Sequence, residues 1–200
     1  MPDGVVFSDE LEEWLRSDEP KTLGALNDMF DERSFAVAIT LLMFPSALPI
    51  PTGGVTHVLE VVTLLLAAQM VAGREEIWLP RRFRERELGA SMTGKAIPFV
   101  IRRVRTFERF SRGRGQSLFD QGWFVRLLGL VIIAFTLAAV LAPPFSGLDT
   151  LPALGVVLIG MSIILRDVAF TAVGALIGVG GIALIVALGQ AAVHLFQRWF

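Results

Sequence analysis

From Trp123 to Gly189 only Arg126, Asp149, Arg166 and Asp167 carry charge, and this scarcity limits the possible folds more than any other feature. A soluble domain must coat its surface with polar groups, whereas a segment in a bilayer must hide them and satisfy its own backbone. Hydrophobic residues make up 54% of the chain and charged residues 18%, below the roughly 25% of ordinary soluble proteins. Such a tract reads as helix in a membrane. The expected fold class is all-α: a polytopic helical membrane protein with short, Pro/Gly-interrupted or re-entrant helices, which could form two related halves.

The remaining charge is sorted along the chain. Residues 1–33 hold ten acids and three bases, a net of −7, and residues 74–116 hold twelve bases and five acids, a net of +7. Four regions follow: an acidic amphipathic N-terminal segment (1–33), a first membrane hairpin (34–73), a basic loop with interfacial helices (74–122) and a second membrane region (123–200). In the first, Leu11, Trp14 and Leu15 recur at helical spacing behind Ser8, Pro20 ends that helix, and Leu23, Leu26 and Phe30 predict a second. The acidic start lacks the basic-then-apolar order of a secretory signal. In the third, Trp78, Leu79 and Phe83 suit an interfacial helix whose arginines reach anionic lipid head groups. Ile97, Ile101, Val104, Phe107 and Phe110 suit a further helix among arginines. Flanked by membrane tracts, this basic loop is cytoplasmic by the positive-inside rule, and nucleic acid is not the expected partner.

Residues 35–73 contain Pro45, Pro49 and Pro51, which cannot sit inside one unbroken helix, followed by Gly53 and Gly54. A full span needs about 20 apolar residues, and neither side of this break supplies them comfortably. Two short helices around a broken element are expected. As a hairpin, the tract returns the chain to the side it entered; as a single crossing, it leaves the N-terminus outside. Residues 123–142 alone read as a plain spanning helix. Residues 151–165 are short, with Pro152 and Gly155 near their start, and an uncharged run follows to Gly189. Gly174 and Gly178 form a small-xxx-small pair suited to close helix packing. Pro/Gly interruptions at corresponding places in the two tracts are either the pattern of transporter repeats that meet at a midplane site or ordinary proline caps.

Polar groups inside apolar tracts are the candidate functional residues. On a helix starting at Val55, Thr56, His57, Glu60 and Thr63 share about a third of the circumference, at roughly 100° per residue. His57 and Glu60, at i and i+3, can pair and carry a proton, or His57 can sit near a helix end at the interface while Glu60 neutralises an arginine. Gln69, on the opposite face, is expected to bond another helix. Arg166 and Asp167 fit either an anion-binding pair or a plain turn between two helices. The substrate-binding candidates are therefore His57, Glu60, Arg166 and Asp167. There is no cysteine, and His57 and His194 are the only histidines. No metal site, cofactor or catalytic residue is expected, since nucleotide-loop and nucleophile-base patterns are missing.

The runs PSALPIPTGGVTHVLEVVTLLLAAQMVAGREEIWLPRR, SLFDQGWFVRLLGLVIIAF and PFSGLDTLPALGVVLIGMSIILRD resemble, in order and spacing, the ExoD family of bacterial inner-membrane proteins over about residues 20–190. The resemblance implies a part in exopolysaccharide synthesis or export, with no established reaction. Val168 follows the Arg-Asp pair where the family usually has glycine, and Glu60 replaces a residue expected to be neutral. Two functions are compatible with this. One is transport of a lipid-linked or anionic intermediate. The other is a non-catalytic accessory subunit, with a homo-oligomer or synthesis-complex partners gathered on the basic loop and acidic arm.

Overall fold

Helix is the only repeating backbone structure among the described residues of the computed structural model. These are residues 7–22, 24–25, 33–48, 55–74, 77–78, 85, 87, 93–94, 97–108, 114–143 and 146–199. The elements are α1 (Phe7–Arg16), α2 (Ser34–Met43), α3 (Val55–Val71), α4 (Ile97–Glu108), α5 (Gln116–Phe119), α6 (Gly122–Leu141), α7 (Thr150–Leu165) and α8 (Val168–Trp199). The all-α expectation holds. The second N-terminal helix expected on Leu23, Leu26 and Phe30 lies outside the described residues, as do Leu79, Phe83 and Phe110.

The uniformly apolar α7 occupies the centre. It packs against α2, α6 and α8, and twelve of its sixteen residues are buried. A helix apolar on every side has no reason to stay at a surface facing water. The α7–α8 pair is antiparallel, with Ser162 Oγ accepting a 2.8 Å hydrogen bond from Thr171 beside the turn. Further along, Gly155 lies against Gly174 and Gly178, so the backbones touch where side chains would hold them apart. The small-xxx-small pair is thus a packing surface for α7.

Two sequence expectations change here. Pro152 and Gly155 do not interrupt α7. Pro152 falls in the first turn, where its missing N–H has no intrahelical partner to lose, and Gly155 admits α8. The proposed likeness between the two tracts therefore fails at this point. Residues 168–199 also form one continuous helix, so α6 is not alone in its length. At ~1.5 Å per residue, α6 measures about 30 Å and α8 about 48 Å, while α2, α3 and α7 reach only about 15, 25 and 24 Å. Only α6 and α8, among the described residues, are long and apolar enough to cross a membrane.

Contacts sort the helix ends into two groups. Gly129 of α6 packs on Ala67 and Val71 of α3, and the Arg126 side chain lies over Gly73, so α3 and α6 are antiparallel. Gly73 takes φ +76° just beyond α3, the left-handed conformation that closes a helix at low cost for glycine. The α7–α8 turn returns to the start of α6: Arg166 pairs with Asp120 at 2.6 Å, and Val168 N–H donates to the Arg114 carbonyl at 3.1 Å. Phe107 of α4 meets Phe170 of α8 edge-on at 5.7 Å. These features form the basic end. The 45–48 turns, the start of α3 and the 146–149 turn lie at the other.

Outer faces are apolar and interior positions include polar groups. Leu141 and Leu176 are 78% and 75% exposed, while Glu60, Thr63, Thr136 and Ser162 are fully buried. That reverses the arrangement expected in water.

Candidate functional site

The first apolar tract folds into the two short helices expected of it. Past Met43 the chain runs through successive turns at Phe44–Leu48, with Ala47 N–H donating to the Met43 carbonyl at 3.0 Å across Pro45. Pro49, Pro51, Gly53 and Gly54 lie outside the described residues. Beyond them α3 begins, and its first turns carry the polar face.

That face closes around one carboxylate. Glu60 is fully buried, and its Oε1 accepts a 3.0 Å hydrogen bond from Ser46 Oγ. Its Oε2 lies 2.9 Å from His57 Nδ1, whose ring is 38% exposed. The geometry suits a neutral imidazole donating through Nδ1, which leaves Nε2 as the unprotonated ring nitrogen. Thr63, buried one turn on, donates to the Leu59 carbonyl at 2.9 Å, and Thr56 is also buried. Among the described residues no lysine or arginine pairs with Glu60. A hydrogen-bonded carboxylate within an apolar bundle is costly unless its partners are fixed, and this one is held from two elements.

The α3–α6 register places Thr136 at the level of Thr63. The Thr136 and Thr40 hydroxyls are buried with no hydrogen-bond partner among the described residues. Ser46 was not singled out by sequence reasoning. Its only signal was a hydroxyl between two prolines at the end of an apolar run.

Arg166 and Asp167 have different partners among the described residues. Arg166 closes α7 in the left-handed region, at φ 51° and ψ 43°, and turns its guanidinium to Asp120. Asp167 is buried, and its Oδ1 accepts from the Ala169 N–H at 3.0 Å, capping α8. Of the two readings, the interhelical turn is the one formed. Gln69 likewise serves a loop: its Oε1 accepts from the Trp78 backbone N–H at 2.8 Å rather than bonding another helix.

At the basic end, α1 and α4 join their apolar stripes. Leu11 and Trp14 from α1 and Ile97, Ile101 and Val104 from α4 are buried. Around them Arg105 meets Asp9 and Glu12, each at 2.7 Å, and Ser8 donates to Glu108 through its N–H at 3.1 Å and its hydroxyl at 2.6 Å. Ser8 thus anchors α1 to α4. An isolated antiparallel bridge between Thr22 and Glu87 adds a second tie between the acidic segment and the basic loop.

Comparison with known proteins agrees with this organisation in extent. The chain is 29% identical over 180 residues to Protein ExoD of Rhizobium meliloti, covering 86% of this chain and 71% of that protein. It is 26% identical over 148 residues to an uncharacterized protein of Synechocystis sp., covering 74% and 69% respectively. No solved structure matches. The family model described as exopolysaccharide synthesis, ExoD, matches residues 7–187, so α1 through most of α8 fall within it and the chain belongs to the ExoD family.

Proposed function

We propose that this protein is a multi-pass component of a bacterial inner membrane, which serves exopolysaccharide synthesis by moving a lipid-linked saccharide intermediate through the bilayer. The observation that carries the reading is the Ser46–His57–Glu60 cluster, placed where two helices too short to cross meet. Polar side chains at membrane depth generally mark a path for substrate or ions. A carboxylate, an imidazole and a hydroxyl suit the hydroxyl groups of a saccharide better than an anion, which Glu60 would repel. Arg166, engaged with Asp120, is not needed for this role.

The joined α1 and α4 support a specific topology. Both belong on one side of the membrane, and the positive-inside rule makes that side cytoplasmic. Then α2 and α3 enter and return as a re-entrant hairpin, α6 and α8 cross, and the shorter α7, buried among them, returns the chain to the basic end. Exposed Trp78, Arg102 and Arg114 are positioned for the interface and its anionic head groups.

The accessory-subunit reading relies on an acidic arm and a basic loop free to bind other proteins. Here part of each is occupied by the other, which favours transport. The test is reconstitution into liposomes containing a fluorescent lipid-linked saccharide. Wild-type protein should move the label to the opposite leaflet, and Glu60→Leu should not. Folded protein that leaves the label in place under every imposed gradient would remove the transport reading.

A further inference from the structure

We propose that Glu60 and His57 form a proton-binding site that opens toward the membrane face opposite the basic loop. The proposal rests on the topology given above and names the coupling ion of that same site. Three features lead to it.

The first is charge isolation. Across residues 34–73 the only titratable groups are His57 and Glu60. The elements packed on α3 add little: α2 has none, and α6 has Arg126, whose side chain lies over Gly73 at the far end of α3. In the second layer α7 has none, and Asp149 precedes its first residue. The ionised carboxylate with a neutral imidazole carries −1, and no cation among the described residues pairs with it. One proton from water makes the pair neutral, with no other group required to change.

The second feature is direction. Glu60 accepts from Ser46 on one oxygen and from His57 on the other, and the half-exposed ring continues outward. A proton can reach Nε2, while the Nδ1 proton passes to Glu60, leaving a neutral ring and a neutral carboxylic acid. The imidazole thereby connects a fully buried acid to the outside.

The third is position. Along α3 the rise from Glu60 to Val71, where the helix ends before the Gly73 turn, is about 17 Å at ~1.5 Å per residue. That is past the middle of a hydrocarbon layer about 30 Å thick, counted from the basic end. The exposed imidazole lies nearer still to the far face.

Infrared difference spectra between acidic and alkaline buffer, recorded on the full chain in lipid vesicles, test the proposal. Wild-type protein should show a protonated-carboxyl C=O band that Asp149→Asn retains, Glu60→Gln abolishes and Glu60→Asp shifts. In His57→Gln the band should persist but follow an external pH jump more slowly. If Glu60→Gln fails to fold, the Glu60→Asp shift decides. A band unchanged in the folded Glu60 variants, or faster response to a jump on the basic-loop side, overturns the assignment. The band without saccharide movement would leave the proton site and remove the transport reading; movement without the band would do the reverse.

Discussion

Glu12 of α1 and Arg105 of α4, far apart in sequence, meet at 2.7 Å, and Asp9 joins the same guanidinium at an equal distance. Hydrogen bonds from Arg105 to Glu12 and then to Asp9 raise its pKa above the ordinary arginine value. A raised value means the contribution is fully present below the unfolded pKa and fades only above the folded one. The ion pairs therefore do not vary between neutral and mildly alkaline buffer. They are partly exposed, however, and salt screens exposed pairs.

Apolar burial should dominate this docking. Trp14 is 3% exposed, and truncating a buried tryptophan to alanine typically costs about 3–5 kcal/mol. Exposed ion pairs contribute much less. Trp14→Ala should release α1 and make the 17–33 segment sharply more sensitive to protease in proteoliposomes. Arg105→Gln should give a smaller increase, and high salt should mimic only that smaller effect. Equal sensitivity of the two variants would show that charge, not packing, holds α1.

Helix packing gives a paired prediction. A methyl group added at Gly155 would sit 2.8 Å from the Gly178 Cα and 2.9 Å from the Gly174 carbonyl, both backbone atoms that cannot rotate away. Gly155→Ala should destabilise the bundle by about 1–3 kcal/mol, the usual range for overpacking. Gly180 meets nothing within 4 Å, so Gly180→Ala should be neutral or stabilising by up to about 1 kcal/mol through helix propensity. Thermal unfolding in detergent would compare the two directly.

The cluster around Glu60 allows a third. Ser46→Ala removes the donor to Oε1 of a buried carboxylate, a loss of about 1.5–3 kcal/mol for a bond to a charged group. Glu60→Gln keeps the shape, so pairing it with Ser46→Ala should cost much less than adding the two separate losses. A double-mutant cycle in unfolding experiments would measure that coupling. Additive losses would mean that Ser46 and Glu60 act independently.

Much of this arrangement was legible before any coordinates. The i, i+3 spacing of His57 and Glu60 places them on one helix face, and the recurrence of Ile97, Ile101 and Val104 marks the buried stripe of α4. Periodicity is a local signal, and these are local facts. Ser46 escaped notice because its contact with Glu60 joins a turn to a separate helix, where no period connects the two. Pro152 was ambiguous for the opposite reason: the same residue stops a helix or begins one, depending on which turn it occupies. The docking of α1 on α4 was also hidden. The amphipathic acidic segment suited packing on the membrane region or a partner protein, and the basic loop suited anionic head groups, but no local signal paired α1 with α4.

Arg166 separates a structural role from a binding one. At φ 51° it holds a conformation that costs an L-residue roughly 1–2 kcal/mol, partly offset by its contact with Asp120. Arg166→Gly should relieve the backbone while losing the pair, leaving stability within about 1 kcal/mol of wild type. Arg166→Val adds β-branching where φ is positive and should be clearly destabilising. If Arg166 instead contacts a substrate phosphate, Arg166→Gly would abolish saccharide movement at unchanged stability. Unfolding and transport measured on the same preparation distinguish these outcomes.

The topology can be read with single cysteines, because the native chain has none to interfere. Asp18→Cys follows α1, Ser146→Cys lies in the α6–α7 connection, and Gln190→Cys lies toward the end of α8. If α1 and α4 share the cytoplasmic side, a membrane-impermeant maleimide added to intact cells should spare position 18. It should label position 146, which lies about 30 Å away along α6. Position 190 should also react, since α8 leaves the basic end and is longer than the layer it crosses. Labelling at 18 from outside would break the hairpin model, because α1 could then not remain joined to a cytoplasmic α4. Protection at both 146 and 190 would place α6 and α8 along the interface instead of across it. The combination expected here, protection at 18 with reaction at 146 and 190, requires α2 and α3 to return together. It thereby puts the exposed edge of His57 on the side that the re-entrant hairpin approaches but does not reach.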